Sequence, residues 1–220
     1  MSATNRKVPF AVYQFCRGIT LVEALVVMVV IGALLAMLIP ALRPARAIRS
    51  RISCINQIKQ IGVAFRLFAI DHQDRFPQQL STNHGGTLEF EADLLAHLRV
   101  LSNELGSPFV LVCPEDAVVP ASDFTTLTTT NISYFLGLEA DGTRPKLILA
   151  GDDNLTTNGM PVGSGWLIPR TNLFVAYGKD RHVEGGNVVM SDGSAQQISS
   201  LRLEDYLRRP PNLTNRFLLP

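Results

Sequence analysis

The chain has 220 residues, with 20 Lys and Arg against 19 Asp and Glu, four His and a formal charge of +1. That balance excludes a dedicated nucleic-acid binder, which needs a strongly basic face, and three cysteines are too few for a disulfide scaffold. Hydrophobic residues make up 46% and charged residues 18% of the chain, which excludes disorder and leaves enough length for a sizeable core.

The first 18 residues carry Arg6, Lys7 and Arg17 and no acidic group. From Ile19 to Leu42, 20 of 24 residues are apolar, the exceptions being Thr20, Glu23, Gly32 and Pro40. Ala24 to Leu42 is uncharged, which at ~1.5 Å per residue gives a helix of about 28 Å, the thickness of a bilayer's hydrocarbon core. A signal peptide's apolar region is shorter, about 7–15 residues, and a buried core helix keeps a polar face, so a membrane-spanning helix is expected. Positive charges alone, with Arg43, Arg46, Arg49 and Arg51 after the span, would put the C-terminal side in the cytoplasm. The residues at the start of the span override that count below.

Past the span, Ile48, Ile52, Ile55, Ile58, Ile61, Phe65 and Phe68 recur at three- and four-residue intervals, an amphipathic helical stripe. Turn formers and Pro77 end it after Asp71. One helix from about Ile19 to Ile70 would be roughly 78 Å long, with Pro40 and Pro44 as sites of kinking or local unwinding. Beyond Ser81 short segments alternate with Gly, Pro, Asn and Asp. Glu89–Leu105 predicts a helix, and Phe109–Val112, Leu147–Ala150, Leu173–Tyr177 and Asn187–Met190 predict strands. Asp192-Gly193 predicts a two-residue hairpin returning along Ala195–Ile198, and Leu201–Arg209 a closing helix stopped by Pro210-Pro211. The expected fold is α+β: a long N-terminal helix, transmembrane and then amphipathic, packed on a small antiparallel β-sheet head.

Arg17-Gly18-Ile19-Thr20-Leu21-Val22-Glu23, opening a long apolar run, resembles the signal of type IV prepilins and type II secretion pseudopilins. The resemblance implies cleavage by prepilin peptidase between Gly18 and Ile19 on the cytoplasmic face and methylation of the new amino terminus. Ile19 departs from the phenylalanine usual there, while Pro40, as the 22nd mature residue, matches a proline of many pilins. It also implies a pilin-like fold and lateral association with other pilin or pseudopilin subunits, Glu23 setting the register. Read physically, a carboxylate inside a membrane segment is costly unless paired, and by default it marks function. Ile19's free amine would lie one helical turn away, in the same subunit or a neighbour. An interfacial glutamate snorkelling to the headgroups is the alternative.

His182, followed by nine residues and Asp192-Gly193, resembles the C-terminal motif of a group of prepilin-like proteins common in planctomycete and verrucomicrobial bacteria. Ser53–Gly62, Arg75-Phe76-Pro77, Val112–Asp116, Ser133-Tyr134 and Leu149–Asp152 also fit that group. Structurally, the motif closes a hairpin, with His182 bonding across its base. The metal alternative, His182 with Asp192, supplies two ligands where structural zinc wants four. Asp152-Asp153-Asn154 offers oxygens for calcium without an EF-hand spacing. His72, His84 and His97 show no partner pattern and are expected at the surface. Cys54 and Cys113 remain after cleavage, and a disulfide between them would add about 4 kcal/mol. No nucleophile elbow, phosphate loop or dinucleotide fingerprint occurs.

The expected organisation is a leader at 1–18, a transmembrane assembly helix at 19–42, its amphipathic continuation at 43–76 and a soluble α+β head at 77–220. The expected protein is a non-enzymatic structural subunit of a pseudopilus or pilus. It would sit in the bacterial inner membrane as a single pass, with its C-terminal head extracytoplasmic. A monomeric membrane-anchored extracytoplasmic binding module is the rival reading.

Overall fold

The computed structural model describes residues 20–170, 172–179, 181–182, 185–209 and 215–220, and of residues 38–49 the backbone alone. The chain divides into two compact units, Met1–Arg46 and Ala47–Pro220, and helix α1, Leu21–Asp71, crosses the division. In the first unit every described side chain from Thr20 to Met37 is exposed, among them Leu21, Leu25, Val29, Leu34 and Met37. No helix among the described residues is long and apolar enough to cross a membrane. Of the span expected at 19–42, described side chains cover Thr20–Met37 only, so the spanning helix is not met among them. The helical backbone continues through Pro40 and Pro44.

The second unit begins with the other part of α1. Cys54, Ile58, Ile61, Phe65 and Phe68 are buried at the helical repeat and form the inward stripe. This corrects the expected stripe by a rotation: Ile52 is 55% exposed, Ile55 is partly buried, and Cys54 takes the inward place between them. Gln73 and Asp74, both with φ of 58°, turn the chain away after α1.

The expected helix over 89–105 is instead three short pieces. Leu88–Phe90 forms a 3-10 turn, and α2 (Leu94–Arg99) starts at an Asp93 cap whose side chain accepts from Ala96 N at 3.1 Å. α3 (Ser102–Leu105) ends at Gly106, φ +70°. A cap in mid-run breaks the helix that the leucine spacing suggested. The expected strand at 109–112 is also corrected. Ser107 caps a 3-10 helix, Pro108–Leu111, and Pro108 at its first position fixes φ for that turn.

The main sheet is wholly antiparallel, built from β1 (Tyr134–Gly137), β2 (Ile148–Asp152), β5 (Gly165–Leu167), β7 (Gly185–Met190), β8 (Ala195–Ser199) and β9 (Phe217–Leu219) in the order β5-β9-β1-β2-β7-β8. A smaller sheet holds β3 (Leu155–Thr157), β4 (Met160–Pro161) and β6 (Val175–Tyr177). Side chains alternate across the main sheet with period two. Tyr134, Leu136, Val189 and Leu218 join the core against α1. Phe135, Val188, Met190, Phe217 and Leu219 join a second core with Tyr177 of β6 and Leu203 and Leu207 of α4 (Ser200–Arg208). The central strands are therefore buried on both faces. At Gly62 a Cβ would lie 2.4 Å from Val189 Cγ2, so the missing side chain is what lets α1 approach β7.

The β7–β8 connection is not the two-residue hairpin expected. Met190 N donates to Ser194 O, Gly193 N donates to Met190 O, and Gly193 has φ +82°. That makes a three-residue loop closed by a left-handed glycine, the other common hairpin solution.

Candidate functional site

At the start of α1, Thr20 N and Thr20 Oγ1 each donate to Glu23 Oε2 at 2.9 Å, and Glu23 N donates to Thr20 Oγ1 at 3.2 Å. The pair is a reciprocal capping box, and Ala24 N donates to Thr20 O in the first helical bond. Thr-x-x-Glu is its sequence signature, a role for Glu23 that the assembly argument passed over. Gly18 and Ile19 lie outside the described residues, and of Pro40 only the backbone is described.

A second site is buried in the other unit. Pro114 sits inside a turn in which Asp116 N donates to Cys113 O at 2.8 Å, and this turn presents Cys113, Glu115 and Asp116 to the interior. Cys113 is disulfide-bonded to Cys54 of α1, with Cα atoms 5.1 Å apart. His182 Nε2 lies 3.4 Å from Cys113 Sγ and 3.4 Å from Asp152 Oδ2. His182 Nδ1 is 2.9 Å from Glu115 Oε2, without the alignment of a hydrogen bond. His182 has φ of 54°, a left-handed conformation uncommon for a side chain-bearing residue. Glu115 Oε2 holds it there by accepting from His182 N at 3.3 Å.

Strands β2 and β7 bring Asp152 beside Asn187. Both side chains are fully buried, and Asp152 Oδ2 accepts from Asn187 N at 2.7 Å and Asn187 Nδ2 at 3.0 Å. Asp152 Oδ1 has no hydrogen-bond partner among the described residues. Arg181 reaches Asp116 Oδ2 at 2.8 Å and Asp153 by a short contact, and donates to Ser133 O.

Burial pushes the Asp152 carboxyl up to about 7, against the two Asn187 donors and Arg181. Burial also lowers the His182 imidazole, with the Glu115 charge opposing. Burial works against ionised Glu115 too, but the Ser50 hydroxyl, His182 and Arg51 together hold it below the usual carboxylate range. Asp153 is raised by burial, opposed chiefly by Arg181.

Several expectations change here. His182 does not bond across the hairpin base: its partners are Cys113, Glu115, Asp152 and Asn187, while exposed Asp192 accepts from Ser194 N at 2.8 Å within the turn. The two ends of the motif do separate jobs. Asp152, Asp153 and Asn154 do not form one oxygen cage either. Asp153 is committed to Arg181, and the Asn154 amide faces the carbonyls of Gly178 and Arg181. His97 is fully buried, within 2.6 Å of Thr87 Oγ1, because α2 turns that face inward. Half-buried His72 stacks on Phe68 at 3.9 Å, and His84 is exposed. Sequence reasoning missed Glu115, Arg181 and Asn187, none of which carries a spacing signal.

Cys113, His182 and Glu115 stand in the order of a nucleophile, base and orienting carboxylate. Cys113 is tied into a disulfide, so in this state its sulfur is no free thiolate nucleophile. The arrangement works as a locked joint between α1, the Cys113 turn and the β2–β7 edge.

The family model for the prokaryotic N-terminal methylation motif matches residues 14–39. The chain carries a prepilin-type signal. This signal covers the capping box and the exposed apolar run described above, and it ends before the second unit begins. No curated protein and no solved structure matches the chain.

Proposed function

We propose that this protein is a structural pilin-like subunit, cleaved by prepilin peptidase after Gly18 and assembled through its N-terminal helix into a type II secretion pseudopilus or a type IV pilus-like filament. The observation that carries the reading is the methylation motif at 14–39, whose described side chains, Thr20–Met37, are all exposed. So long an apolar surface without a partner calls for lipid or neighbouring helices. In this reading the head is extracytoplasmic and the anchor lies in the inner membrane. A disulfide on α1 suits an oxidising compartment.

Two measurements test it. Sequencing of the mature protein from a host with the peptidase gives Ile19 as the first, methylated residue; any other N-terminus removes the processing step. For assembly, Glu23→Gln keeps a competent capping partner but loses the carboxylate, whereas Glu23→Ala loses both. Filament incorporation abolished by both variants assigns Glu23 to register through its charge. Incorporation kept by Glu23→Gln and lost only in Glu23→Ala confines Glu23 to capping. Incorporation unchanged in both removes Glu23 from assembly, and wild type that enters no filament favours a monomeric anchored module.

A further inference from the structure

Cys54, Cys113 and His182 each bring one donor atom to within 4.8 Å of the others, and all three residues are buried. On the same imidazole nitrogen, Nε2, the Asp152 carboxylate converges at 3.4 Å through Oδ2, and its buried Oδ1 has no partner among the described residues. The ring's other nitrogen faces Glu115 Oε2 at 2.9 Å. Two sulfurs, an imidazole and a carboxylate are a tetrahedral donor set suited to zinc, and a carboxylate behind a histidine ligand is the usual way its ring is oriented.

We propose that, once the Cys54–Cys113 disulfide is reduced, this site binds one Zn²⁺ through Cys54, Cys113, His182 Nε2 and Asp152, so that the two cysteines alternate between a disulfide and a metal centre. A dithiol reductant gives two electrons and two protons to the S–S bond, leaving two protein thiols and its own disulfide. Zinc then forms two Zn–S bonds as both thiol protons pass to water, and neutral His182 contributes its Nε2 lone pair. Tetrahedral zinc with ~2.3 Å bonds holds its sulfurs about 3.8 Å apart. Side-chain rotation reaches that separation from cysteines whose Cα atoms are 5.1 Å apart. Reoxidation by a disulfide donor removes the two electrons and expels the metal. Asn187 and Glu115 are the positioning residues, aiming Asp152 and His182.

The experiment uses the full chain in detergent micelles, oxidised or reduced with dithiothreitol that is then removed anaerobically, and titrated with Co²⁺. The reduced chain takes up one Co²⁺ with tetrahedral bands and a thiolate-to-cobalt charge-transfer band, which one equivalent of Zn²⁺ bleaches; the oxidised chain takes up none. His182→Ala and Asp152→Asn weaken binding by roughly tenfold or more, Cys54→Ser weakens the charge-transfer band, and Cys54→Ser with Cys113→Ser removes it. Reduced wild type that binds no cobalt, or binds it without that band, overturns the proposal. So does a band that survives in urea, which would mark coordination by unfolded chain. Wild type alone decides these outcomes, so a variant that fails to fold hides nothing.

Discussion

His97 sits in the core with Thr87 Oγ1 2.6 Å from Nδ1. Burial lowers its pKa from 6.5, with Glu91 and Asp93 pulling the other way. A depressed histidine means that the unfolded chain takes up a proton before the folded one does. Stability is therefore full above about pH 6.5 and falls as the pH drops from there toward the lower folded value. His97→Gln, which can still bond Thr87, flattens the fall: its melting temperature changes less between pH 7.5 and pH 5 than that of wild type, in parallel melts of the full chain in detergent. Equal pH slopes would show that His97 does not titrate on unfolding. The placement of His97 was out of reach of spacing arguments, because the helix expected over 89–105 ran past the Asp93 cap that sets the start and inward face of α2. Glu23 is the opposite case. Its capping partner is legible three residues upstream in Thr20, as the Thr-x-x-Glu signature of a capping box.

Helix α1 and strand β7 meet at Gly62 and Val189, and the closeness of that contact sets a sign. Alanine at Gly62 gains ~1 kcal/mol of helix propensity, but its Cβ would stand 2.4 Å from a branched, fully buried valine that cannot swing aside. Overpacking of this kind costs about 1–3 kcal/mol, so Gly62→Ala lowers stability in wild type and is neutral or stabilising in a Val189→Ala background. A double-mutant cycle by urea unfolding measures the coupling, and additive effects would mean the backbones simply part. The second tie on α1 is the disulfide, which closes a loop with 59 residues of separation. Replacing both cysteines by serine costs about 4 kcal/mol in the chain-entropy model, read as a lower urea midpoint. At this scale the long helix, β2, β6, β7, β8 and α4 follow from periodicity and turn residues, though with shifted ends. Strands β1, β5 and β9 do not. Each is three or four residues long, and Phe217–Leu219 pairs only because Asn215, donating to Ile148 O at 2.7 Å and accepting from Glu139 N, pins its start to the sheet. The His182 site was half legible for the same reason. The histidine and cysteines could be picked out, but the partners that the β2–β7 pairing brings together are far apart in sequence.

The two units differ in what they ask of their surroundings. Residues Ala47–Pro220 contain both hydrophobic cores, the disulfide and the buried ion pairs of Arg181. The described side chains Thr20–Met37 are exposed and enter neither core. Among the described side chains, a chain beginning at Ala47 therefore loses no packing in either core, and it sheds the exposed apolar surface that would drive association in water. The expected result is a protein that folds without detergent, keeps the Cys54–Cys113 bond and sediments as a monomer. Its melting temperature should lie within a few degrees of the full chain's, because a shift of that size is what about 1 kcal/mol produces in a domain of this length. The full chain, by contrast, is expected to need detergent to stay dispersed. A truncated protein that unfolds, or melts far below the full chain, would show that the N-terminal part of α1 stabilises the head. The long helix would then be a structural member of the fold as well as its means of attachment. A truncated protein that still self-associates would move the assembly surface off the N-terminal helix, and the exposed residues Val63, Leu67 and Ile70, one face of α1 at the helical repeat, would be the place to look for it.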